Sequence, residues 1–205
     1  MRIEVIKLDY KMQIPPFEFS SFEALTPKQA KEIFQWYVND IPFRLKQLQT
    51  CLDEETGGEI RLTKSKESLG PLWDWFSDTI QTRIRSESEL QEEIKAVPEW
   101  LYPAIIADNE KLTLESSVVG MDIAIYFAEV FIKHHSGINW GYFTKPKSRV
   151  SVNEPVLLGF MKGIDMNPRR IVDTLMWQAV KKTGNDGLVE TYKIWENFVL
   201  DSSQD

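Results

Sequence analysis

The stretch Leu114 to His135, LESSVVGMDIAIYFAEVFIKHH, decides how this chain is read. Apolar residues fall on nearly every side of the helix it would form, which predicts a helix buried over most of its surface. Its apolar part, Val118 to Ile132, is too short for a bilayer span of roughly 20 residues and carries Asp122 and Glu129 inside it. The segment is therefore expected to be a core helix, with the rest of the chain packed around it.

The polar residues of this helix follow a pattern. Asp122, Tyr126, Glu129 and Lys133 are spaced so that they share one stripe. Asp122 and Glu129 would stand about 10 Å apart along the axis, near the separation of an inverting hydrolase pair. With Tyr126 they are the catalytic candidates. The same spacing has a plainer reading, a solvated or hydrogen-bonded side in which Glu129 and Lys133 pair locally, and no second catalytic signature accompanies the carboxylates.

Both histidines of the chain, His134 and His135, close the helix. Neighbours on a helix point about 100° apart, so the two do not readily share a metal ion. The positions four before them are Val130 and Phe131, neither of which is a ligand. Ser136-Gly137 followed by Ile138 reads as a helix end, with Gly137 left-handed and the basic residues at the negative end of the dipole.

Beyond this end, INWGYFTK (138–145) and PVLLGFM (155–161) have strand composition and are joined by a polar connection. Asn167-Pro168 then starts a helix with a buried stripe of Ile171, Val172, Leu175, Met176 and Ala179. A last helix uses Leu188, Tyr192, Trp195 and Val199. In the other direction, Thr26-Pro27 starts a helix with Phe34, Tyr37, Val38, Ile41, Leu45, Leu48 and Leu52 on one face. Pro42 is expected to kink or break it near Asp40. Strands are expected at 2–8 and 59–64, a helix around Leu69 to Ile80, and a short helix before Pro98. The sum is a predominantly helical α+β domain over 1–200, with about four short strands in a small, mostly antiparallel sheet and five or six helices. Residues 201–205 form a polar tail.

With 205 residues, 42% hydrophobic and 27% charged, the chain can bury a full core. Its net charge of −7 repels phosphate backbones and anionic lipid. A basic run of Lys145, Lys147 and Arg149, with Lys133 nearby, is too short to make nucleic acid the expected partner. The single cysteine, Cys51, excludes an internal disulfide and a thiolate-built zinc site, and it suits a reducing compartment. The charged N-terminus lacks an apolar signal region, so the cytoplasm is the expected location. No nucleotide-binding, phosphate-loop or nucleophile-elbow motif occurs, and neither a metal nor a cofactor is expected.

Two features point to binding. Arg169 and Arg170 occupy the first turn of a helix, where positive charge opposes the dipole. Asp173 could compensate locally, or the arginines could hold a carboxylate or phosphate of a ligand or partner. Of the seven tryptophans, Trp73 and Trp195 fall on core stripes, whereas Trp36, Trp75 and Trp177 lie beside them; aromatics off the core stripe suit a protein interface.

The segments ESLGPLWDWF (67–76) and GMDIAIYFAEVFIKHHSGINWGYFTKPKSRVSVNEPVLLGF (120–160) resemble a family of small proteins of Gram-positive bacteria. In that family a helix carrying glycine and Glu-Val, as at Gly120 and Glu129-Val130, leads into a strand containing tryptophan, as at Trp140. The resemblance covers about a quarter of the chain and implies a bacterial cytosolic α+β domain, with no activity attached. The leading expectation is an acidic, non-enzymatic protein that binds another protein, as a toxin-neutralising or regulatory partner. The alternative is a hydrolase or small-ligand-binding domain using the acids of the central helix.

Overall fold

The computed structural model describes residues 10–161, 163–184 and 187–199. Among them are seven α-helices and two antiparallel two-stranded ribbons. The chain is a mostly helical α+β protein. The expected strand 2–8 and the tail 201–205 lie outside the described residues.

The central helix, α5 (Leu114–His134), is capped by the Thr113 hydroxyl, which accepts from the Ser116 amide. Ile123 to Ala128, Val130 and Phe131 are all buried, as an apolar surface on nearly every side requires. The long helix α1 (Pro27–Thr56) and the later helix α6 (Pro168–Lys181) pack against it. At Gly120 the approach of α6 is so close that an added Cβ would lie 2.5 Å from the Met176 sulfur. Helix α2 (Leu69–Thr79) and helix α7 (Leu188–Glu196) pack on each other and complete the core through Leu72, Phe76, Leu188 and Tyr192.

Helix α1 settles one of two expected alternatives. Thr26 and Gln29 form a reciprocal capping box at its start, and Gly57, at φ 61°, ends it. No break occurs at Pro42, and the helix runs unbroken through it. Pro71 is tolerated for a simpler reason, since it falls in the first turn of α2, where amides have no helical acceptor.

The expected strand at 59–64 is also absent. Instead the Gln49 side chain of α1 donates to the Ile60 carbonyl and accepts from the Leu62 amide, satisfying backbone groups that a strand partner would otherwise pair. Strands do form at Asn139–Gly141 and Val156–Leu158, paired antiparallel with Trp140 opposite Leu157. The other ribbon, Thr82–Ile84 with Glu110–Leu112, lies where no strand is legible. In chain order these four strands are β1 (82–84), β2 (110–112), β3 (139–141) and β4 (156–158).

Between β1 and β2 the chain makes an excursion through α3 (Glu87–Lys95), a short 3-10 turn at Glu99–Leu101 and α4 (Tyr102–Ala107). None of these three elements buries a residue. The excursion is thus an arm held by a ribbon rather than part of the core.

The end of α5 differs from expectation in detail. Helix α5 stops at His134 and the chain turns extended at His135, whose φ is −135°. The left-handed residue at this joint is Gly159, at φ 107°, rather than Gly137. A Cβ on Gly159 would lie 2.1 Å from the Gly137 carbonyl oxygen, so the two segments meet backbone to backbone.

Candidate functional site

The polar stripe of α5 is a row of ties to neighbouring segments. Asp122, 1% exposed, takes a two-pronged ion pair from Arg44 of α1, with Nε and Nη2 each 2.8 Å from a carboxylate oxygen. The Tyr10 hydroxyl donates to the same carboxylate, and Arg44 also donates to the Lys11 carbonyl. Burial pushes the Asp122 carboxyl up to about 6, against the pull of Arg44 and the Tyr10 hydrogen bond. The Tyr126 hydroxyl accepts from the Lys64 amide at 2.8 Å and pairs with the Ser68 hydroxyl. Glu129 receives Lys64 Nζ at 2.6 Å and the Trp140 indole N–H at 3.1 Å. Lys133 donates to the Thr63 carbonyl.

Asp122 and Glu129 therefore serve different partners. Each carboxylate is taken up by cations and hydrogen-bond donors of neighbouring segments. The Glu129–Lys133 pair expected along the helix gives way to ties from both residues to the 63–64 segment. Arg44 is the residue that reading by pattern misses. It is 1% exposed and falls on the apolar stripe of α1 between Ile41 and Leu48, and that position is the signal that could have revealed it.

The histidines tie the end of α5 to neighbouring segments. His134 Nε2 lies 3.1 Å from the Lys64 carbonyl oxygen, and His135 Nε2 lies 2.9 Å from the Tyr192 hydroxyl of α7. The His135 ring sits beside Phe131 and Tyr192, and burial lowers its pKa while Glu196 raises it. Among the described residues no group of three or more His, Cys, Asp and Glu is placed to hold a metal ion. Cys51 is buried within α1, and burial pushes its thiol up to about 12, which leaves it a poor nucleophile.

The two arginines at the start of α6 diverge. Arg170 pairs with Glu154 at 2.6 Å, and Glu154 also accepts from Asn167, the N-cap of α6. An internal carboxylate thus compensates one cation. Arg169 makes no ion pair with Asp173, and its guanidinium lies 5.0 Å from the centre of the Phe22 ring. With Trp36, Tyr37 and Arg44 it lines a pocket of about 370 Å³ whose walls are otherwise largely apolar. Trp75 lies elsewhere, tilted against Phe76 and packed on the main core. Trp36 and Arg169 are thus brought together, and Trp75 and Arg170 are not.

The most exposed tryptophan is Trp100, which the sequence places in a loop or helix turn and the structure in the 3-10 turn. Trp100, on the arm, is 76% exposed, and Ile84 and Ile106 of the same arm are also exposed. Acidic residues surround them in sequence. Arg83 and Lys111 pair with Glu89, and Arg85 pairs with Glu93. Glu87, Glu92, Glu99 and Glu110 make no ion pair among the described residues.

Two residues of the basic run are engaged internally. Lys147 donates to the carbonyls of Glu23 and Leu25, while Arg149 pairs with Asp165 and stacks on Phe143. Among the described residues no helix is long and apolar enough to cross a membrane. Compared with known proteins, the chain matches no family model, no curated protein and no solved structure, so the site is read from its own geometry.

Proposed function

We propose that this protein acts by binding another protein, without catalysing a reaction, and that the arm from Thr82 to Leu112 carries the contact. The observation behind this reading is the exposed Trp100, flanked in sequence by carboxylates that pair with no cation among the described residues. Tryptophan anchors are common where interfaces concentrate their binding energy, and an acidic rim speeds association with a basic partner. The partner is therefore a protein with a basic face around an apolar pocket. A toxin-neutralising or regulatory role fits such a contact. A cytoplasmic location belongs to the same proposal, and a chain with a single cysteine suits it.

The hydrolase alternative loses its support, because Asp122 and Glu129 are held in separate structural pairs. The test is affinity capture from the source cells with the wild-type protein and Trp100→Ala, followed by association kinetics across a salt series. The expected result is a basic partner that Trp100→Ala binds at least tenfold more weakly, with an association rate that falls as salt rises. Equal capture by both proteins, or rates indifferent to salt, would overturn the reading.

A further inference from the structure

Protein binding by the arm leaves unexplained a pair of buried polar atoms in the helical body. The Nε of Arg169 and the hydroxyl of Tyr37 are buried and have no hydrogen-bond partner among the described residues. Both residues line the pocket of about 370 Å³. Buried polar groups are rarely left unsatisfied, and two such groups on residues that line one cavity point to a ligand there.

The charge balance narrows the ligand. Arg44 also lines the pocket, but its guanidinium is occupied by Asp122 and the Lys11 carbonyl. Arg169 makes no hydrogen bond or ion pair among the described residues, so its charge is the one left for an occupant. Its charge reaches the Tyr37 hydroxyl, which burial keeps protonated and hence able to donate. Phe19, Ile33, Trp36, Val118 and Met121 supply apolar wall. The volume lies within the range of small-molecule sites. One free cation beside an apolar chamber suits a monoanion with an apolar body, whereas a phosphate dianion would bring a second charge with no partner.

We propose that this pocket binds an amphipathic monocarboxylate, with its apolar chain against Trp36, Ile33 and Met121 and its carboxylate on Arg169 and Tyr37. Binding here is independent of the arm, and the outcome of either experiment leaves the other standing.

Isothermal titration of the full chain with decanoate, decanol, acetate and decyl phosphate tests it. Decanoate binds saturably, decanol at least tenfold more weakly, and acetate not measurably. Arg169→Met brings decanoate down to the affinity of decanol while leaving decanol binding unchanged, which also reports that the pocket remains formed. Tyr37→Phe weakens decanoate severalfold. Should Arg169→Met fail to fold, the wild-type comparison of decanoate with decanol decides alone. Equal affinity for the two, no saturable binding of decanoate, tighter binding of decyl phosphate, or an unchanged Arg169→Met would each overturn the assignment.

Discussion

Asp122 and Arg44 form a buried pair across two helices, and the value of such a pair lies in its completeness. Two charges taken from water return their desolvation cost only while each satisfies the other. Asp122→Asn leaves the guanidinium facing a neutral partner inside the protein and is expected to cost roughly 3 to 5 kcal/mol, read from the denaturant midpoint. Arg44→Met with Asp122→Leu removes both charges and is expected to recover more than half of that loss. His135 supplies a second residue-level test. Burial lowers its folded pKa below the ordinary 6.5, so between the two values the unfolded chain binds more protons and stability falls as pH drops below 6.5. Asp122 works in the opposite sense: its raised value means the folded state keeps a proton up to about 6, so its contribution falls as pH rises towards that point. The difference between wild type and His135→Phe isolates the histidine, and the wild type should lose stability relative to the variant as pH falls through the window. A pH-independent difference would remove His135 as a titrating contact.

At the scale of elements, the joint between α5 and the β3–β4 ribbon depends on Gly159. Its φ of 107° is one that L side chains rarely adopt, and a Cβ there would run into the Gly137 carbonyl. Gly159→Ala is expected to destabilise the fold by more than about 1 kcal/mol, while Gly137→Ala, whose Cβ would meet nothing within 4 Å, should be nearly neutral. Thermal unfolding of the two variants checks the contrast. This joint also shows how far pattern reading reaches. That a helix ends and a strand begins within VFIKHHSGINW is legible from periodicity and composition, because both are local. Which glycine carries the unusual backbone is a matter of which segment lies opposite, and that segment is some twenty residues further along the chain.

Taken as a whole, the molecule consists of a helical body and an arm that contributes little to it. Since α3, the 3-10 turn and α4 bury nothing, replacing residues 86–108 by a two-residue turn that preserves the β1–β2 ribbon should change Tm by no more than about 4 °C. Circular dichroism melting tests this, and a collapse in Tm would show the arm to be part of the cooperative unit. The helical class, α5 as core and the starts of α1 and α6 follow from the sequence alone. They rest on local rules: apolar periodicity, capping hydroxyls and amides, and proline in a first turn. The failures share the opposite character. Helix α1 runs on through Pro42 while packed against α5, residues 59–64 are paired by a glutamine side chain rather than a strand, and β1 and β2 find each other across an arm that separates them in sequence. So it is with function. Sequence singled out Asp122, Tyr126, Glu129, Trp36 and Arg169 as polar or aromatic residues in unusual places. Only the tertiary structure decided that the first three tie segments together while Trp36 and Arg169 share a pocket, because a side chain's role is set by what stands opposite it in space.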